Sequence, residues 1–379
     1  MHNCVGILYE IILFGGNLQI PIVLAINSAY TKQATVVMYS ALKNAKQSTK
    51  YSFFVITHDL KDSDIKFIDS VLRSHTNLTD LQIIFVSDSD YNSIPLIGRF
   101  GREAFFRLFI PKLLPNLDKL IYLDSDTMVL SDLTQLFDTN VDGKAYAACS
   151  EKRLYSYKWN VLVCRDMQSR FEFFDKIGFD ILDNQTHYTN SGVMIINNKY
   201  WIQHNWLDRA MNFVAQNIGD INFSCPDQDA LNILAWQDGV DSRVYLDWKY
   251  NVSNNFVLDK CDKQNLVLQA NFRSLYYDGN SGKDFEPAII HYAGGIKPWN
   301  GGTELLSAKY REYAKEIGWN IKTNTINVFR WILNFLIKFI LFFVPYGLVK
   351  FFFKFKVKIK LFLKALLPKF MIRFIKKFI

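Results

Sequence analysis

Short apolar runs alternate with amphipathic stretches along the first third of the chain. Runs rich in Val, Ile and Phe predict strands, and stretches with apolar residues every three or four positions predict helices. The predicted strands span 20–26, 51–56, 81–86 and 119–123, and the predicted helices span 34–45, 63–73 and 102–114. Strands that alternate with helices are typical of an α/β fold, with a mostly parallel sheet covered by helices on both faces.

The middle of the chain is less regular. Residues 193–196 predict a strand and Trp206–Asn217 predicts a helix, whereas 238–287 is rich in aromatic residues, Asn and Asp and predicts no clear element. No internal repeat and no Pro- or Ser-rich linker divides this part. We therefore expect one domain over 19–320, preceded by a leader at 1–18 and followed by a tail at 321–379.

Asp-x-Asp triplets occur four times, at 62/64, 88/90, 124/126 and 227/229, so a bare triplet is weak support for a metal site. Asp62 and Asp64 fall where a helix begins, and acidic residues stabilise a first helical turn without any ligand. Asp88 and Asp90 follow a predicted strand and run into Tyr-Asn, which predicts a polar loop.

Asp124 and Asp126 differ because strongly apolar runs precede and follow them. Two carboxylates two residues apart in an extended chain project to the same side. Burying both without a compensating charge is costly, and a bound cation is the natural compensation. The triplet therefore predicts a cation site beyond the carboxyl end of a strand, where α/β sheets bind ligands. The alternative is a pair of solvated turn residues.

His291 is the best candidate for a third metal ligand. It follows the apolar run at 288–290 and precedes Tyr292-Ala-Gly-Gly-Ile-Lys-Pro-Trp299. Oxygen ligands alone suit Mg²⁺ or Ca²⁺, and one imidazole moves the preference toward Mn²⁺. Gly294 allows a ligand to approach the backbone closely, and Lys297 offers phosphate a point charge. The segment thus predicts a diphosphate site, and a core histidine beside a glycine turn is the alternative.

Charge is distributed unevenly along the 379 residues. The whole chain has 44 Lys or Arg and 36 Asp or Glu, but the tail at 321–379 holds thirteen of the basic residues and no acidic one. The first 320 residues therefore carry 31 basic against 36 acidic residues.

Five cysteines are an odd number without zinc or redox spacing, which indicates thiols in a reducing compartment. The apolar start lacks a basic n-region, so we expect a packed or disordered leader rather than a signal peptide.

The tail combines its lysines with many Phe, Ile and Leu residues. Its longest uncharged run, 339–349, is about half of the roughly 20 residues that a transmembrane helix needs. Basic and apolar residues together predict adsorption to an anionic membrane surface. A span near 328–348 is the alternative, with Arg330 and Lys338 snorkelling. We expect no nucleic-acid partner, because phosphate binding does not require exposed apolar side chains.

Four motifs together resemble the family 8 glycosyltransferases. They are Asp124-Ser125-Asp126 after Leu-Ile-Tyr-Leu, Asn190-Ser-Gly-Val193, Asp227-Gln228-Asp229 and the segment from His291 to Trp299, in the order and approximate spacing of that family. The resemblance covers about 20–299 and is strongest to bacterial lipopolysaccharide or lipooligosaccharide α-galactosyl- and α-glucosyltransferases. It implies a GT-A nucleotide-sugar-binding domain with a mixed central sheet.

The resemblance also implies roles for individual residues. Asp124, Asp126 and His291 would bind the metal, Mn²⁺ or Mg²⁺. The UDP-sugar donor would contact Ala25, Asn27, Tyr30, Arg107, Asp124, Ser125, Gly294 and Lys297. The family often has Asp where this chain has Asn27, which weakens the expected nucleobase contact. Asn190, Asp227 and Gln228 would hold the hexose near the reacting carbon, and an amide at Gln228 is a poor nucleophile, which favours front-face attack in a retaining reaction.

The resemblance therefore predicts a peripheral enzyme at the inner face of the cytoplasmic membrane. It would transfer galactose or glucose from a UDP-sugar to a lipid-linked oligosaccharide of lipopolysaccharide or lipooligosaccharide type. One alternative is a glycogenin-like or protein-directed glucosyltransferase, although a soluble acceptor requires no basic apolar tail. Another is a catalytically silent membrane-bound adaptor of the same fold, which the complete Asp124, Asp126 and His291 set argues against.

Overall fold

Among the residues that the structure describes, the chain folds around a mixed seven-stranded sheet. The computed structural model describes residues 19–96, 101–150, 173–179, 188–220, 223, 225–239, 242–253, 287–293, 297–300 and 306–321. The strand order is β3-β2-β1-β4-β7-β6-β8. These strands are β1 (Gln19–Ala25), β2 (Lys50–Thr57), β3 (Leu78–Phe85), β4 (Lys119–Leu123), β6 (Tyr146–Ser150), β7 (Thr189–Asn197) and β8 (Arg243–Tyr245). Strands β3, β2, β1 and β4 are parallel, and β7 runs antiparallel to both β4 and β6.

The central strands are apolar on both faces, because each face packs against its own core. In β4, Leu120 and Tyr122 belong to the core on one face, and Ile121 and Leu123 belong to the core on the other. The same alternation continues in β7. A continuous apolar run at β4 therefore reflects burial on both sides, and the first polar side chains appear where the strand ends.

Helices cover both faces of the sheet. The helices are α1 (Thr31–Lys43), α2 (Asp62–Leu72), α3 (Asp88–Ser93), α4 (Ile110–Leu113), α5 (Thr134–Phe137), α6 (Asn198–Gln203), α7 (Trp206–Asn217), α8 (Pro226–Gln237) and α9 (Ser307–Glu316). Helices α1 and α2 pack on one core, whereas α7 and α8 pack on the opposite one. None of the helices in the described ranges is long and apolar enough to cross a bilayer.

A second, three-stranded sheet has the order β5-β10-β9, where β5 is Thr127–Val129, β9 is Val252–Ser253 and β10 is Ile289–His291. Strand β10 pairs antiparallel with β5 and parallel with β9. Since β5 begins just after β4 ends, this small sheet brings a segment from late in the chain to the carboxyl edge of the large sheet.

The predicted α/β class and mixed central sheet are confirmed, with local corrections. The segment 88–93, predicted as a polar loop, is helix α3, in which the Ser87 hydroxyl caps the chain by accepting from the Asp90 N–H. The segment 102–114, predicted as one α-helix, is a 3₁₀ helix over Arg102–Phe109 followed by α4, and Pro111 stands at the start of α4. The leader at 1–18 and the tail from 322 onward lie outside the described residues.

Candidate active site

Asp124 and Asp126 lie in a tight turn between β4 and β5. The Asp124 carbonyl accepts from the Thr127 N–H at 3.1 Å and from the Thr127 hydroxyl at 2.9 Å. The prediction that an extended chain aligns the two carboxylates was wrong, since the turn does so. Ser125 is the half-buried residue between them.

His291 completes a cluster of three potential metal ligands. Strand β10 places it opposite Thr127, and the next backbone N–H, of Tyr292, donates to the Asp126 carbonyl at 2.9 Å. Its imidazole is 4% exposed, and Nε2 lies 3.2 Å from Asp126 Oδ1 and 3.7 Å from Asp124 Oδ2. One ligand atom from each residue falls within 4.8 Å of the others. Two carboxylates and one imidazole suit a divalent cation such as Mn²⁺.

Gly192 in β7 forms the wall behind these ligands. Its carbonyl accepts from the Asp124 N–H at 2.8 Å. A Cβ at this position would lie 2.7 Å from His291 Nδ1 and 2.8 Å from Asp124 Oδ2, both below ordinary contact distance. The glycine in the Asn-Ser-Gly motif is therefore required for the close approach of the strand to the candidate metal site.

Arg107 connects the candidate metal site to helix α8. Its guanidinium donates to Asp124 Oδ1 at 2.7 Å, and its Nε lies 3.1 Å from Asp227 Oδ2. Nη1 donates to the carbonyl and hydroxyl oxygens of Ser191 at 2.7 and 2.8 Å, and the Tyr122 ring lies under the guanidinium. The structure thus brings Arg107, Asp124 and Asp227 together, with Arg107 mostly occupied by protein groups.

Burial and neighbouring charges together shift the pKa values of two acids of the site in opposite directions. Burial alone would raise the pKa of Asp126, but His291 and Lys297 outweigh it, so this pKa lies well below its usual range. Burial raises the pKa of Asp227, and Arg107 offsets only part of that increase. Asp126 is therefore held as a carboxylate, the form that binds a cation.

Lys297 lies between Asp126 and the aromatic pair Trp299 and Tyr30, and Tyr30 directly precedes α1. The Lys297 ammonium donates to Asp126 Oδ2 at 2.6 Å and to the Tyr292 carbonyl. It also lies over the Trp299 ring, whose edge-to-face contact with Tyr30 has a centroid distance of 6.3 Å. The predicted donor-binding residues Tyr30 and Lys297 are thus neighbours across Trp299, whereas Gly294 lies outside the described residues.

The predicted hexose-contacting residues lie at the start of β7 and of α8. Pro226 stands in the first turn of α8, followed by Asp227 and Gln228. Gln228 Oε1 accepts from the Ser191 N–H at 3.0 Å, and its Nε2 donates to the Tyr188 hydroxyl at 3.0 Å. Asn190 Oδ1 accepts from the Gly192 N–H at 2.9 Å. These side chains border the Asp124, Asp126 and His291 cluster through Ser191, Gly192 and Arg107.

The loop after β1 is held by a residue that the sequence did not indicate. Asp59, just after β2, accepts from the Ser28 N–H and hydroxyl at 2.8 Å each. Ala25 is the last residue of β1, and the half-buried Asn27 carries an Oδ1 with no hydrogen-bond partner among the described residues.

The model of the family described as Glycosyl transferase family 8 matches residues 21–302, well over half of the chain. The chain belongs to glycosyltransferase family 8. It is therefore a sugar-transfer enzyme by family, and the predicted resemblance is confirmed.

Two curated relatives and one solved structure illustrate what the family 8 chain is similar to. General stress protein A of Bacillus subtilis is 23% identical over 294 residues, which cover 77% of this chain and 91% of that protein. Lipopolysaccharide 1,2-glucosyltransferase of Escherichia coli K12 is 24% identical over 265 residues, 70% of this chain and 68% of that protein. The galactosyltransferase LgtC, crystallised with donor and acceptor sugar analogues, shares the fold at a TM-score of 0.58 and 24% identity, with 78% of this chain and 95% of that chain covered.

Sequence reasoning missed several residues of this family 8 site. Tyr122 donates to Asp124 Oδ1 at 3.0 Å, although an aromatic residue in a buried strand reads as core. Asn251 Oδ1 lies 2.9 Å from His291 Nδ1, in a region where no element was predicted. The role of Tyr122 had a weak indication in the sequence, because residues two positions apart along a strand project to the same side and Tyr122 stands two residues before Asp124. Asn251 had none.

Proposed function

We propose that this family 8 chain is a metal-dependent, retaining glycosyltransferase that moves galactose or glucose from a UDP-sugar to a lipopolysaccharide or lipooligosaccharide glycan. The observation that carries the proposal is the convergence of Asp124, Asp126 and His291, with Lys297 beside them, at the carboxyl edge of the sheet. Two carboxylates, one imidazole and a lysine suit a divalent ion bound together with a diphosphate.

The relatives support the substrate class. One relative is a lipopolysaccharide 1,2-glucosyltransferase. LgtC, which shares the fold, was crystallised in complex with donor and acceptor sugar analogues. These proteins match most of this chain, and the match to the family model, over 21–302, contains every residue of the proposed site. Galactose and glucose differ only in the configuration at one hydroxyl-bearing carbon, so we propose the UDP derivatives of both as donors.

In the proposed reaction, a divalent ion bound by Asp124, Asp126 and His291 would supply Lewis-acid stabilisation of the leaving diphosphate. Lys297 has an ammonium within reach of the same carboxylate and would neutralise further charge on the diphosphate. Arg107 would hold Asp124 and Asp227 at a fixed separation through its two ion pairs. Gln228 would face the sugar as a neutral amide, and hydrogen bonds to Ser191 and Tyr188 hold both ends of its side chain in place.

An amide is a poor nucleophile, so a covalent intermediate at Gln228 is disfavoured. We propose front-face transfer, in which the acceptor hydroxyl attacks from the side that the diphosphate leaves and a departing phosphate oxygen takes its proton. Asn190 and Asp227 would orient the hexose for that attack. NMR of the product showing an inverted anomeric linkage would exclude this route.

We further propose the division into a leader at 1–18, a catalytic domain at 19–320 and a membrane-adsorbing tail at 321–379. The tail's thirteen basic residues without an acidic one would bind anionic headgroups, at about 1 kcal/mol each. We propose on this basis that the enzyme lies on the inner face of the cytoplasmic membrane. Sedimentation with phosphatidylglycerol vesicles tests this: the full chain should co-sediment and a 321–379 deletion should not, and equal binding of both would contradict the role of the tail.

Hydrolysis of UDP-galactose and UDP-glucose without acceptor tests the catalytic proposal. We expect UDP release with Mn²⁺, no release after chelation with EDTA, and restoration by added Mn²⁺. Asp124→Ala should abolish release while circular dichroism stays unchanged. Full activity of Asp124→Ala, or activity that persists in EDTA, would contradict the proposed metal site.

A further inference from the structure

Asn251 connects the two halves of the candidate site. Its Oδ1 lies 2.9 Å from His291 Nδ1, and its Nδ2 donates to Asn190 Oδ1 at 2.8 Å. The residue directly precedes β9, which pairs with β10 so that Ser253 lies opposite His291. The backbone that carries Asn251 is therefore fixed relative to the backbone that carries the imidazole.

The direction of each hydrogen bond follows from one backbone group. The Gly192 N–H can only donate, and it donates to Asn190 at 2.9 Å, so the atom there must be the oxygen Oδ1. An oxygen at that place requires a donor from Asn251, so Nδ2 of Asn251 faces Asn190. Oδ1 of Asn251 then faces His291, where only an N–H can be its partner.

The tautomer of His291 is set by this chain of bonds. Nδ1 carries a proton, so Nε2, 3.2 Å from Asp126 Oδ1 and 3.7 Å from Asp124 Oδ2, is the nitrogen that can present a lone pair to a bound ion. A lone pair on Nε2 is what a metal ion requires of an imidazole. Histidine ligands in metal sites are commonly held in this way by a partner on the other ring nitrogen.

We propose that Asn251 is a positioning residue that keeps His291 in the metal-binding tautomer and, through its second hydrogen bond, orients Asn190 toward the donor sugar. This inference rests on the proposed metal-dependent sugar transfer. The metal ligand and the predicted hexose contact then share a single amide. Loss of the Asn251 acceptor should weaken metal binding through His291, and loss of its donor should weaken sugar binding through Asn190.

Two substitutions separate the two bonds. Asn251→Leu removes both, and we expect Mn²⁺ affinity in the presence of UDP to fall about 10–100-fold, the usual effect of losing such a partner. Asn251→Asp keeps an acceptor for Nδ1–H but presents a carboxylate oxygen to Asn190 Oδ1. It should weaken Mn²⁺ binding by less than about tenfold, while raising the KM for the UDP-sugar more than it lowers kcat.

Mn²⁺ affinity is measured on the full-length protein by electron paramagnetic resonance of free Mn²⁺ in the presence of UDP. The tautomer is read by long-range ¹H–¹⁵N correlation on histidine-labelled protein without metal, with His291→Gln used to assign the signal. We expect the Nδ1–H pattern in wild type and in Asn251→Asp, and its loss in Asn251→Leu. Asn77→Leu is the matched control, since Asn77 also bridges two groups, the carbonyls of Lys46 and Thr49, away from the site.

Unchanged Mn²⁺ affinity and an unchanged His291 pattern in Asn251→Leu would overturn the inference. So would equal losses in Asn251→Leu and Asn77→Leu, because they would indicate general destabilisation. If Asn251→Leu does not fold, two other results would refute the inference. One is a wild-type His291 whose single proton lies on Nε2, and the other is an Asn251→Asp variant that binds Mn²⁺ as poorly as His291→Gln. A wild-type protein that binds no Mn²⁺ with UDP would instead count against the proposed function, and the NMR experiment would still decide the tautomer.

Discussion

Gly192→Ala should disable the site by moving two of its proposed metal ligands. The added Cβ would lie 2.7 Å from His291 Nδ1 and 2.8 Å from Asp124 Oδ2, and closer still to His291 Cε1. Ordinary contact begins at 3.4 Å, so restoring it would move Nδ1 by about 0.7 Å (3.4 − 2.7) and Oδ2 by about 0.6 Å (3.4 − 2.8). The imidazole is 4% exposed and hydrogen-bonded to Asn251, so it has little room to retreat.

A displacement of about 1 Å in a reacting geometry costs on the order of 100-fold in rate. We therefore expect Gly192→Ala to lower kcat/KM for UDP-sugar hydrolysis about 100-fold or more, with weaker Mn²⁺ binding. Overpacking should also lower the free energy of unfolding by about 1–3 kcal/mol. Mn²⁺-dependent release of UDP and urea unfolding measure the two effects separately.

Gly219→Ala is the matched control. Gly219 is exposed, and a Cβ there would meet nothing within 4 Å. This variant should keep wild-type activity and stability within error. If Gly192→Ala behaved like Gly219→Ala in both assays, β7 would not lie against His291 and Asp124, and the assembly of the site would be wrong.

Three further substitutions test the surrounding charges. Arg107→Met should lower the free energy of unfolding by about 3–5 kcal/mol at pH 7. This loss should shrink toward pH 5, because burial raises the pKa of Asp227 and the carboxylate that has lost Arg107 can take up a proton. A loss that does not change with pH in urea unfolding would contradict this reasoning. Lys297→Met should lower kcat/KM for UDP-sugar hydrolysis on the order of 10²–10³-fold, and an effect confined to stability would rule out a role at the diphosphate. Lys43→Met removes a half-exposed ion pair with Glu316 and should change the free energy of unfolding by less than about 1 kcal/mol; a larger loss would show that this contact between α1 and α9 is more important than its exposure suggests.

Regular elements could be predicted wherever burial imposes a period on the sequence. Strands β1 and β4 read as continuous apolar runs because both faces are covered, and α7 shows the helical period that its single buried face requires. The short strands of the second sheet have two or three residues each, too few to show any period. Their structure depends on pairing with segments far away in the sequence.

Candidate site residues were predictable where a motif follows a strand, as at Asp124 and His291. Their mutual arrangement was not, because it depends on which strands pair. The two ion pairs of Arg107 join three separate segments, and nothing near Arg107 in the sequence indicates Asp227 as a partner. Asn251 and Asp59 each act through two hydrogen bonds from loop positions, where an Asn or Asp is an ordinary residue.

The pairing of β10 with β5 also dictates when the site can form during synthesis. Asp126 leaves the ribosome 165 residues before His291 (291 − 126), and the seven strands of the large sheet are all translated by residue 245. At roughly 5–20 residues per second the delay between the two ligands is on the order of ten to thirty seconds. A nascent chain can thus pair the seven described strands of its main sheet while it still lacks the imidazole, so capture of the proposed metal would be a late event, tied to the synthesis of β10.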